Sequence, residues 1–152
     1  MAGFSFNGVD QIAASFEQLS QLTDEEKVSV LMPSAQLLLQ RQKDKIRQLF
    51  KRRTGDLEDS MVIEQREGDE GLSLYLYPTG KHRGSFTGKR KGKRRSNGKY
   101  SGTNAEVAYI LNYGSPRIKA THWLENANEE AEAEVFASQQ AAWDELLTKK
   151  GL

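Results

Sequence analysis

The stretch Phe50 to Met61, FKRRTGDLEDSM (residues 50–61), decides how this chain is divided. Upstream of it Ala35, Leu38, Leu39, Ile46, Leu49 and Phe50 recur at helical spacing, with Arg41, Lys43, Lys45 and Arg47 among the residues off that face. Lys51, Arg52 and Arg53 then suit the last turn of a helix, where positive charge favours the dipole, and Gly55 suits a left-handed residue at its C-terminus. Thr54 or Asp56 can cap a short turn that follows. Downstream, residues 60–65 and 72–77 are rich in strand-forming residues, and Gly68 to Gly71 supplies a turn between them. Arg52 to Gly55 is thus read as the corner where a helix hands over to a β-hairpin. A phosphate-binding loop is excluded, because no Gly-Lys-Ser/Thr follows.

Working outward towards the N-terminus, Thr23 with Glu26 three residues on has the spacing of a capping box and predicts a helix start. Pro33 conflicts with that helix continuing, since a proline in a helix interior removes a hydrogen bond and costs roughly 3 kcal/mol, so a kink or a fresh start is expected there. Before it, Val9, Ile12, Ala13, Phe16 and Leu19 suggest a short amphipathic helix ending near Gln21 and Leu22.

Residues 79–104 contain six glycines and little apolar content, which predicts a long loop or extended hairpin within the domain. Nine cations fall in it (Lys81, Arg83, Lys89, Arg90, Lys91, Lys93, Arg94, Arg95 and Lys99) and no acid. Folded back on itself, this basic arm reaches ~30 Å at the extended-chain rise per residue. The net charge of +1 therefore conceals a remainder with thirteen basic against twenty-one acidic residues. Val107 to Tyr113 is an apolar run too short to assign to strand or helix by period, and Gly114-Ser115-Pro116 closes it. From about Trp123 to Lys149 an Ala- and Glu-rich stretch without Gly or Pro predicts a long terminal helix, with Leu124, Ala127, Ala131, Val135, Ala142 and Leu146 as its stripe. The expected fold is α+β, a single domain over residues 1–152: N-terminal helices, a small antiparallel sheet with a long basic hairpin or loop, and a long C-terminal helix.

The sequence offers no catalytic constellation. His82 and His122 stand in no metal-ligand spacing and read as a solvated loop residue and a turn or cap residue. Gly84 to Arg90 superficially resembles a Walker loop, but has three residues between its glycines and Arg where Ser or Thr must meet magnesium. Glu129, Glu130, Glu132 and Glu134 read as a wet helix face, and as a candidate acidic acceptor for the basic arm. A non-enzyme without metal or cofactor is expected. The absence of cysteine excludes disulfides and thiol chemistry and fits synthesis in a reducing cytoplasm. No apolar run approaches the ~20 residues of a membrane span, and the start MAGFSFNGVD lacks the features of a secretory signal, so no membrane partner is expected. The arm, with Phe86 and Tyr100 for stacking, suits either nucleic-acid phosphates or an acidic protein partner, and composition does not separate the two.

A long helix, then RTGDLEDSM, two strands, a variable loop, YILNYGSPRIKATHWLENA and a terminal helix together resemble the head-to-tail joining, or tail-completion, proteins of tailed bacteriophages. Thr54, Gly55, Leu57, Ser60 and Met61 match that family's Thr-Gly-x-Leu corner, and Tyr113, Gly114 and Ser115 match its aromatic-Gly-Thr/Ser element. Ala120, Thr121, His122, Trp123, Leu124 and Ala127 stand where the family enters its last helix through Ala-x-Pro-Phe-Leu and a later Ala. The departures are His122 and Asn126 for prolines, Trp123 for phenylalanine, and the long basic insertion. The resemblance implies a virion protein of the neck or tail top, made in the bacterial host cytoplasm. It further implies a cyclic homo-oligomer that couples the DNA-filled head to the tail, with neighbouring neck, connector or tail proteins, and DNA in the neck channel, as candidate partners. A nucleic-acid-binding module using residues 81–99 is the alternative, and a host-interaction or regulatory protein carried by a prophage is a third reading.

Overall fold

The computed structural model describes residues 17, 20–50, 55–68, 71–81, 84–86, 89–90, 93–94, 98–100 and 102–151. The fold is α+β, as expected. A helix α1 (Asp24–Leu49) leads through a one-turn helix α2 (Asp56–Asp59) into strands β1 (Met61–Gly68) and β2 (Gly71–Pro78). Four short strands follow, β3 (Gly84–Phe86), β4 (Lys89–Arg90), β5 (Lys93–Arg94) and β6 (Gly98–Tyr100), and then helices α3 (Asn104–Tyr113) and α4 (Trp123–Lys150).

The Thr23 capping box forms in both directions: Thr23 N–H donates to Glu26 Oε2 at 2.9 Å, and Glu26 N–H to Thr23 Oγ1 at 3.3 Å. The helix that it starts runs through Pro33, so the fresh start expected there does not occur. Pro33 is itself exposed, whereas Val30, Ser34 and Ala35 around it are buried, so packing on both sides of the proline keeps the helix continuous despite the lost hydrogen bond. The helix face is also narrower than expected: Leu49 is exposed, and Phe50 leaves the helix in an extended conformation, its N–H still bonded to the Ile46 carbonyl. Half-buried Phe50 packs against the core cluster that includes Ile46 and Leu57, and reaching that cluster is what ends α1. Arg47 is the cation in the last turn of α1, which ends before Lys51. Lys51 to Thr54 lie outside the described residues, as does most of the expected first helix, Val9, Ile12, Ala13, Phe16 and Leu19 included; Ser20 is helical and Gln21 is in a turn.

Gly55 has the expected positive φ, +80°, but it serves as the N-cap of α2 instead of the end of α1, its carbonyl accepting from Asp59 N–H at 2.9 Å. The corner then turns into β1, which pairs antiparallel with β2 from Met61–Pro78 to Gly68–Gly71. The described residues between 79 and 104 pair as a hairpin does. Lys81 bridges Thr103 at its root, β3 pairs antiparallel with β6, and β4 pairs with β5. Two residues separate Phe86 from Lys89 and three separate Arg94 from Gly98, so the ladder shifts register by one residue between its halves.

The apolar run from Val107 resolves into helix α3, opened by a second capping box in which Thr103 N–H donates to Glu106 Oε2 at 2.8 Å and Glu106 N–H to Thr103 Oγ1 at 3.1 Å. Helix α4 lies antiparallel to α1, and Lys150–Glu26, Arg41–Glu134 and Lys45–Glu130 pairs connect them from one end towards the other. Its Ala127 and Ala131, 2% and 0% exposed, permit the close approach that their size predicts. Ile46, Leu57, Met61, Ala108 and Trp123 form the core, drawing residues from α1, the corner, β1, α3 and α4 into one cluster.

Candidate interaction surfaces

Several of the described residues that carry the family resemblance are structural in this molecule. Leu57 and Met61 are buried in the core, Leu124 packs against it, and Trp123 is 1% exposed with its indole N–H donating to the Ala108 carbonyl at 3.3 Å. Gly114 has φ +83°, and a Cβ on it would stand 2.8 Å from both Ala120 N and Ile118 O. A glycine is thus required where the chain doubles back between α3 and α4, through a Ser115–Ile118 bridge. Tyr113 differs from these, since it is exposed.

Of the basic arm, Lys81 sits at the hairpin root, and Lys89, Arg90, Lys93, Arg94 and Lys99 lie on β4, β5 and β6. Arg83, Lys91 and Arg95 fall outside the described residues, as does His82. Among the described residues, β3 pairs with β6 and β4 with β5, and none of the four joins β1 or β2.

The four glutamates taken as the candidate acceptor divide into two pairs. Glu130 accepts from Lys45 Nζ at 2.5 Å and Glu134 from Arg41 at 2.6 Å, so α1 of the same chain neutralises both. The Glu134 carboxylate holds the Arg41 guanidinium above its ordinary pKa. Glu129 and Glu132, on the far side of α4, form no ion pair among the described residues. At spacings of three and four residues they share a face with Phe136, which is 62% exposed. Helix α4 therefore carries apolar residues on two faces: the Ala127–Ala131 face is buried, while the opposite one is acidic and open.

A second exposed patch lies on α3 and the loop after it. Tyr109 and Tyr113, one turn apart and 63% and 54% exposed, have ring centroids 4.8 Å apart, and the His122 ring meets Tyr113 edge-on at 6.4 Å. Exposed Ile118 lies in the adjoining loop between exposed Arg117 and Lys119, neither of which forms an ion pair among the described residues. His122 caps α4 with φ +49°, the single non-glycine residue at positive φ among those described. The sequence signal for this patch, tyrosines spaced by four, becomes readable once Val107 to Tyr113 is known to be helical.

Beneath these surfaces Asn112, which the sequence did not single out, joins α3 to α4. It is 2% exposed; its Oδ1 accepts from Leu124 N–H at 3.0 Å and its Nδ2 donates to Glu125 Oε1 at 3.0 Å. The Glu125 backbone N–H and the Asn112 amide hold the Glu125 carboxyl below its ordinary range.

A groove of about 510 Å³ between α1 and α4 is lined by Arg41, Asp44, Lys45, Arg47, Gln48, Ala127 and Glu130. Its cations are compensated, Arg47 by Asp44 at 3.0 Å and by buried Glu58 at 2.5 Å, Arg41 and Lys45 as above, so it presents no uncompensated field to an anion. Among the described residues no group of three or more His, Cys, Asp or Glu is placed to hold a metal ion, and no helix is long and apolar enough to cross a membrane. Comparison of the chain with models of protein families, with curated proteins and with solved structures gives no match.

Proposed function

We propose that this chain is a structural protein of the neck of a tailed-bacteriophage virion, forming a closed ring that helps join the DNA-filled head to the tail. The observation that carries this reading is the pair of exposed aromatic patches, around Tyr109 and Tyr113 on α3 and around Phe136 on α4, which nothing in the same chain covers among the described residues. Exposed apolar surface of this kind suits association with other protein surfaces. The hairpin agrees with it, because a basic ladder that among the described residues pairs with no other strand suits a segment received by a neighbour. The resemblance of the Thr54–Met61 corner and of the Tyr113–Ala127 passage to phage joining proteins supplies the virion context.

The test is quantitative mass spectrometry of purified virions from the phage that encodes the chain. A fixed cyclic copy number per particle is expected, together with a gene beside those for portal and tail. Infectious particles without the chain would overturn the reading, and salt-sensitive binding of the isolated chain to duplex DNA of arbitrary sequence would favour the nucleic-acid alternative.

A further inference from the structure

The two exposed patches are complementary in charge. One combines Tyr109, Tyr113 and Ile118 with two cations, Arg117 and Lys119, that form no ion pair among the described residues. The other surrounds Phe136 with two acids, Glu129 and Glu132, in the same condition, whereas their neighbours Glu130 and Glu134 are bonded to α1. An apolar centre ringed by charge of one sign on each side is the composition of an interface with a defined partner. Both halves stand on well-held backbone: α3 starts from a capping box, Gly114 fixes the turn, and Asn112 ties the start of α4 to α3.

We propose that these patches are the two halves of a contact between copies of this chain: Tyr109, Tyr113 and Ile118 of one copy cover Phe136 of the next, while Arg117 and Lys119 meet Glu129 and Glu132. The occupant is a second copy because the complement of each patch, in charge and in aromatic content, is present on the chain itself. The contact joins different surfaces of two identical subunits, so each added copy exposes a fresh half, and the assembly closes into a ring or extends as a filament. This inference rests on the self-association in the proposed function, and adds which surfaces perform it.

Sedimentation velocity of the full chain over a range of concentrations tests the contact. Wild type should associate. Arg117→Glu with Lys119→Glu, and separately Glu129→Lys with Glu132→Lys, should each weaken association at least tenfold at low salt while leaving the helical circular dichroism unchanged, since all four side chains are exposed. An equimolar mixture of the two variants should associate again, with the chains alternating, because each reversed patch now faces a reversed partner. Phe136→Gln, which changes no charge, should weaken association at all salt concentrations. Wild-type oligomers untouched by either reversal would overturn this contact and leave the ring reading standing. A wild type that remains a single chain at every concentration would overturn this contact too, with virion copy number still deciding the ring.

Discussion

Asn112 on α3 caps a helix that is not its own: its Oδ1 accepts the Leu124 N–H at 3.0 Å in the first turn of α4, where the N-cap residue His122 makes no side-chain bond. Its carbonyl also accepts from His122 N–H at 3.0 Å, and its Nδ2 holds Glu125. One buried amide thus fixes the angle at which the two patch-bearing helices meet. Asn112→Ala removes the cap and leaves buried polar groups unsatisfied, and should cost about 2 kcal/mol in urea denaturation. Asn126→Ala, at an exposed site with one long bond of 3.3 Å to the Thr121 carbonyl, should cost far less.

The Glu125 carboxyl gives the same junction a pH dependence. Its folded-state pKa is lowered from an ordinary value of 4.5, so the stability that it contributes is complete above that value and is lost as pH falls below it, through the lower folded-state value. Thermal melts of wild type and Glu125→Gln should therefore differ at neutral pH and converge in acid. A difference that persisted unchanged into acid would show that ionisation at this position is not what matters.

Gly114 and Gly68 provide a matched pair of substitutions. At Gly114 a Cβ meets backbone atoms at 2.8 Å and φ is +83°, whereas at Gly68 nothing stands within 4 Å and φ is unexceptional. Gly114→Ala should destabilise by about 2 kcal/mol or more, and Gly68→Ala should be nearly neutral, in denaturant midpoints at unchanged m-value.

The difference between these glycines marks how much of the molecule the sequence discloses. Glycine as punctuation is legible, and so are the Thr23–Glu26 box, the hairpin of β1 and β2 and the Ala stripe of α4, because each is set by local spacing. Thr103 with Glu106 carries the same capping signal as Thr23 with Glu26, so the helical nature of α3 was available locally. The continuity of α1 through Pro33 was not, because tertiary packing outweighs a local penalty there. The end of α1 at Leu49 was hidden for the same reason, since Phe50 leaves the helix to join residues of α2, β1 and α4. The candidate surfaces were the least legible: only the packing of α4 on α1 separates engaged Glu130 and Glu134 from Glu129 and Glu132, which alternate with them along the chain.

That separation is itself testable. Glu130→Lys with Glu134→Lys places like charges against Lys45 and Arg41 of the same chain, so it should lower the denaturant midpoint at low salt and recover in part at high salt. At a concentration where the chain is monomeric, Glu129→Lys with Glu132→Lys should leave the midpoint unchanged. Equal effects of the two double substitutions would remove the distinction between an inner and an outer acidic edge.

The basic hairpin poses the remaining question, whether its cations meet DNA or protein. If the proposed ring holds, nine cations per subunit repeated around it would bind phosphates strongly at low salt and retard the exit of DNA through a neck channel, so an arm facing protein is expected. Glu130 and Glu134 are already paired with α1, and the contact inferred between copies engages Glu129 and Glu132. Under the proposed neck function, the acceptor should accordingly lie on a different neck or tail protein. Arg94→Glu with Arg95→Glu should then leave self-association intact while impairing joining of heads to tails in an assembly assay. Normal joining, together with loss of a salt-sensitive affinity for duplex DNA that the wild-type chain displays, would instead assign the hairpin to the nucleic acid. Loss of self-association in the same variant would make the hairpin part of the contact between copies, and would return Glu129 and Glu132 to the list of its acceptors.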